Sequence, residues 1–83
     1  MTQQLRIAQR RFEELHHSVV AGIPCIVGVT DLYADTSDGW VGSRTVFRFQ
    51  VLDRRGYPAP WLAAKVQPAD ESRFVEEIVD ARR

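Results

Sequence analysis

Between Arg44 and Asp53 the chain reads Arg-Thr-Val-Phe-Arg-Phe-Gln-Val-Leu-Asp, and its side chains alternate in character. Thr45, Phe47, Phe49 and Val51 form one set. Arg44, Arg48 and Gln50 fall in the other, with Val46 and Leu52 between them. Successive strand residues point to opposite sides of a sheet, so this period of two, rich in aromatic and β-branched residues, predicts a strand with one buried face. Turn signals flank it, Asp38-Gly39 before and Arg55-Gly56 after, which predicts the middle strand of an antiparallel meander.

The remaining elements are read outward from that strand. Leu5, Ala8, Phe12, Leu15 and Val19 recur at spacings of three and four, predicting an amphipathic helix from Thr2 to about Val20. Thr2 is suited to cap it, and Gly22 and Pro24 to stop it. Cys25 to Tyr33 reads as the first strand. Cys25, Val27 and Val29 form one apolar set and Ile26 and Leu32 another; the odd set is the expected buried one.

Ala34 to Gly42 reads as a polar loop. Pro58 and Pro60 lack amide hydrogens, so the third strand is expected to be short, Trp61 to Val66, at the sheet edge. Pro68, Asp70 and Glu71 suit the first turn of a final helix whose buried stripe is Phe74, Val75, Ile78 and Val79. The expected architecture is a single α+β domain over residues 1–83. It is a two-layer α-β-β-β-α arrangement, a three-stranded antiparallel meander with both helices on one face.

Eighty-three residues are expected to form one domain and to bury only a modest core. Formal charge is zero, from 11 basic and 11 acidic residues, so no global field draws the chain to nucleic acid or to an anionic membrane. The charge is unevenly spread: residues 31–43 carry −3 and residues 44–66 carry +4. The single cysteine, Cys25, allows no intrachain disulfide and points to a reducing, cytoplasmic setting. No signal pattern or membrane-length apolar run is visible.

The expected fold leaves one sheet face bare, carrying Arg44, Arg48, Gln50, Trp61 and Lys65 with Val46 and Leu52. Arg and Trp combine large contact area with a polar handle, the residue types that dominate protein interfaces. Trp40, after the Asp38-Gly39 turn, either anchors a partner at a loop tip or folds back as a lid; Tyr57 is similarly placed at the other turn.

Catalytic chemistry finds no assembled acid, base and nucleophile. His16 and His17, adjacent on the expected helix, point about 100° apart and do not chelate together. Asp31, Asp35 and Asp38 lack the alternating ligands and distal Glu of a calcium loop, and Cys25 falls at the start of a buried strand. No catalytic residue, metal site or cofactor is therefore expected.

The preferred reading is a non-enzymatic protein-interaction module of inhibitor or adaptor type, on the scale of those that phages and mobile elements direct at host complexes. Its partner is a protein, with a second copy of itself, as a dimer, among the candidates. The alternative is an RNA- or DNA-binding module using the same face. The helix, three-strand, helix order resembles that of double-stranded-RNA-binding domains. Where that family carries a basic cluster at the start of its last helix, this chain has Pro68-Ala69-Asp70-Glu71, whose acids would repel a phosphate backbone.

Overall fold

A computed structural model describes residues 3–35 and 44–82, with the side chains of residues 34, 35 and 44 left out. The elements are α1 (Gln3–Arg11), β1 (Glu14–Val20), β2 (Ile23–Asp35), β3 (Arg44–Leu52), α2 (Pro60–Ala63) and α3 (Pro68–Arg82). The three strands form one antiparallel sheet in the order β1-β2-β3. The small α+β class and the meander are as expected. The placement of several elements within it is not.

The expected helix from Thr2 to Val20 is two elements. α1 ends at Arg11, Phe12 and Glu13 bend, and Glu14–Val20 is a strand. The bend is tied down where the Glu13 amide donates to Val29 O at 2.8 Å. The spacing of Leu5, Ala8, Phe12 and Leu15 correctly marked residues that share a side, since all four pack with Ile26 and Leu52. Gly22 ends no helix. It forms a two-residue hairpin loop with Ala21 between the paired Val20 and Ile23. Their φ values of 79° and 50° meet the demand for positive φ at both central positions of the tight turn that suits strand twist.

β2, not β3, is the centre of the sheet. Its pairing with β3 begins at Ile26↔Leu52, so Pro24 lies past the end of β3 and deprives no partner strand of a donor. The Arg44–Leu52 strand therefore lies at an edge. The third strand expected at Trp61–Val66 is the helical turn α2, with Pro60 in its first turn and Leu62 buried. Among the described residues, the outer edge of β3 is covered at its C-terminal end, where Ala59 N donates to Val51 O at 3.0 Å and Asp53 N to Tyr57 O at 2.8 Å.

The helices lie on opposite sides of the sheet, not on one. Phe74 and Ile78 of α3 and Leu62 of α2 pack with Val20, Cys25, Val27, Val29 and Val51. α1 covers the reverse side, with Ala8 and Phe12 on Ile26 and Leu52. Cys25, Val27 and Val29 of β2 thus face α3, as expected, but Ile26 on the other face is equally buried. Leu52, expected to point into solvent, lies under α1. Gly28 makes this close approach possible: the Phe12 ring lies directly over it, 2.9 Å from where a Cβ would stand.

The turn expected at Arg55-Gly56 is present. Asp53 Oδ1 accepts from the amides of Arg55 (2.8 Å) and Tyr57 (3.0 Å), and Gly56 has φ 93°. α3 begins as expected at Pro68. Asp70 Oδ2 reaches back to the Gln67 amide at 2.9 Å, half of a capping box. That hydrogen bond, and then the Arg73 guanidinium, hold the Asp70 carboxyl below its ordinary value. A depressed folded-state pKa adds stability above the unfolded value, and the gain disappears as pH falls through the folded one. The stability difference between wild type and Asp70→Asn is expected to be largest at neutral pH and to vanish in strong acid. Urea melts across that range measure it.

The Thr2 cap, the Asp38-Gly39 turn, Trp40 and most of the 34–42 loop lie outside the described residues. Ala34 and Asp35 belong to β2.

Candidate functional site

Two groupings of polar and aromatic side chains stand out. The first lies between α3 and β1. His16 Nε2 donates to Glu77 Oε2 at 3.2 Å, and Ser18 Oγ donates to Glu77 Oε1 at 3.4 Å. Arg73 donates to Ser18 Oγ and to Glu77 Oε1, each at 3.2 Å, to Asp70 Oδ1 at 3.0 Å and to Val19 O at 2.6 Å. Further along, Arg82 pairs with Glu14.

Ser18 and His16 both bond the Glu77 carboxylate and not each other, so the serine–histidine contact of an activated nucleophile is not made. Cys25, opposite Ser18 in the register, is buried, and burial pushes its thiol above the ordinary value while Arg73 pulls it back. A protonated, inaccessible thiol is a poor nucleophile. The arrangement acts as a clamp fastening α3 along β1. His17 alternates to the other face and is exposed, because adjacent strand residues oppose each other.

The second grouping comes from the sheet itself. β1 pairs with β2 only as far as Glu14↔Val29, where the chain turns into α1. β2 and β3 run on alone as a two-stranded ribbon, from Asp31↔Arg48 to Asp35↔Arg44. A register shift between Val29 and Asp31 keeps its two faces distinct. On the α3 side Leu32, Phe47 and Phe49 pack against the core, with the Phe47 and Phe49 rings stacked at 4.6 Å.

The reverse side lies past the end of α1. It carries Tyr33 beside Val46 and Asp31 beside Arg48, with Gln50 next along β3. Tyr33 is 53% exposed, and the Arg48 side chain is 74% exposed. Asp31 stands 3.9 Å from Arg48, a solvent-exposed pair of small energetic weight.

The expected binding set is therefore divided. Arg48 lies on this bare half-face, Gln50 follows it along β3 opposite Gly28, and Arg44 opens the same strand opposite Asp35. Trp61 and Lys65 do not extend it. They belong to α2 and the turn after it, on the α3 side of the sheet, where Trp61 is 57% exposed. Trp40 falls outside the described residues. Tyr33 was not anticipated as a site residue. The signal available was its position at the far end of an apolar run beyond the reach of the first helix, which becomes visible only once that helix is known to end at Arg11.

Among the described residues, no helix is long and apolar enough to cross a membrane. Comparison with curated proteins and with solved structures found no match. A family model described as "YuA phage, Gp49" matches residues 15–78, a span holding β2, β3, α2, nearly all of β1 and most of α3. With well over half of its residues matched, the chain belongs to the YuA phage Gp49 family.

Proposed function

We propose that this chain is a non-enzymatic protein-interaction module, acting in the cytoplasm as an inhibitor or adaptor against a host protein complex. The observation that carries the reading is the β2–β3 ribbon. It projects past β1 and past the end of α1, and its reverse face offers Tyr33, Val46 and Arg48 to a partner, with Gln50 following along β3. An exposed Tyr beside an Arg supplies contact area, a hydroxyl and a planar cation at low cost in side-chain entropy. The ribbon's backbone edge beyond Val29 is also without a β1 partner, so a strand of the bound protein has room to pair there. Membership of a phage family supports a host-directed role.

The nucleic-acid alternative required Arg44, Arg48 and Lys65 to share a face with Trp61. The protein-interaction reading is favoured over it because Trp61 and Lys65 belong to α2 and the turn after it, not to the sheet strand that carries Arg48.

Affinity capture from a bacterial host extract, with the bound proteins identified by mass spectrometry, tests the proposal. Tyr33→Ser with Arg48→Glu is expected to abolish capture of a partner that wild type and Trp61→Ala both retain. The reading is overturned if the double variant captures the same partner as wild type, or if Trp61→Ala alone abolishes capture.

A further inference from the structure

Two surfaces outside the ribbon's bare face have complementary chemistry. On the α3 side, a groove of about 440 Å³ runs between β3 and α3. Phe47 and Val75 supply its apolar lining, Thr45 and Ser72 lie at its sides, and Glu71 and Glu76 give it two carboxylates, with no cation among its described lining residues. α3 is fastened along β1 through Arg73 and Glu77, and Phe47 of β3 is only partly buried beside it.

On the opposite side of the sheet, the outer face of α1 groups Gln3, Arg6, Ile7 and Arg10. That spacing places them on one side of the helix, away from Leu5, Ala8 and Phe12, which face the sheet. Ile7 is 48% exposed, flanked by two cations.

We infer that the α1 face of one copy docks into the β3–α3 groove of another, Ile7 entering against Phe47 and Val75 while Arg6 and Arg10 meet Glu71 and Glu76. The two surfaces lie on opposite sides of the sheet, so a copy does not fill its own groove. The contact is head-to-tail and generates chains or rings of copies, not a closed two-fold dimer. Its small apolar centre and charged rim make it weak and sensitive to salt.

Sedimentation velocity over a concentration series, at low and high salt, tests this on the full chain. Wild type is expected to show a mass that rises with concentration at low salt and falls back at high salt. Ile7→Asp, the pair Glu71→Arg with Glu76→Arg, and the pair Arg6→Glu with Arg10→Glu should each lower the association constant at least about tenfold. The fourfold variant with both pairs reversed should regain self-association, as should a mixture of the two charge-reversed proteins. All five positions are surface ones, and far-UV circular dichroism confirms that each variant is folded.

A wild type that stays monomeric throughout the series overturns the inference. So does a dimer indifferent to these substitutions, which would point to pairing along the β3 edge. A monomer whose Arg6 and Arg10 bind an oligonucleotide instead would also overturn it. Host-partner capture through Tyr33 and Arg48 uses other residues and should survive every variant, so the two proposals fail independently.

Discussion

Phe74→Ala is expected to remove about 3–5 kcal/mol of stability, the usual cost of emptying a buried aromatic site. A chain of this size has roughly 4–12 kcal/mol in total, so the variant should unfold at low urea or show no native baseline. The size of the effect follows from the position of the ring. Phe74 is fully buried where α3 meets the sheet, and its ring stands edge-on to Phe49 at 5.8 Å and 74°. Phe49 in turn stacks on Phe47, and the Arg73 guanidinium lies 5.1 Å from the Phe74 centroid. Removing the ring leaves the aromatic row of β3 without its anchor and loosens the arginine that holds α3 to β1. Phe74→Leu should recover a substantial part of the loss. Urea denaturation measures both, and the reaction rate of the buried Cys25 thiol gives a second readout of core opening.

The second large effect lies on the other side of the sheet. Gly28→Ala would ordinarily favour a strand, since glycine carries the greatest backbone entropy. Here the new Cβ would fall 2.9 Å from Cγ and Cδ2 of Phe12, atoms near the root of the ring that do not swing clear without displacing the whole side chain. Phe12 would have to leave its site, loosening the end of α1. A net loss of about 1–3 kcal/mol is expected, in the range of other overpacked sites. Phe12→Ala with Gly28→Ala should cost less than the sum of the two single changes, because the first removes the clash created by the second. Strict additivity in urea melts would mean that the ring does not rest on Gly28 in solution.

Phe74 was legible as a buried helix residue, but its edge-on contact with Phe49 and the seat of Phe12 on Gly28 were not. Period-two order made the 44–52 strand legible, and Pro68, Asp70 and the Phe74/Ile78 stripe made α3 legible, because each signal is local. The bend after Arg11 was not legible. A three-and-four spacing continues through Leu15 and Val19, and a strand placed after a helix on the same sheet side keeps the same residues on that side. The β-rich run His16–Val20 and the Ala21-Gly22 pair were the signals for a hairpin, outweighed by that periodicity. Likewise Pro58 and Pro60 are compatible with either an edge strand or a helix start, and Pro60 opens a helical turn.

The candidate site depends on those same points. Arg48 and Gln50 were visible as the polar side of a strand, but Trp61 and Lys65 were assigned to that side only because a strand was expected where α2 stands. Tyr33 entered the site once α1 proved short enough to stop at Gly28.

By itself, the sequence determined the local conformations set by side-chain sterics and backbone donors: the β3 alternation, the Asp53–Gly56 turn and the capped start of α3. Only the tertiary structure decided which strand is central, which side α1 covers and where the sheet is left bare. Those choices turn on burial. Ile26 and Val27 both need cover, on opposite faces of one strand, and no local pattern tells the chain to place a helix on each.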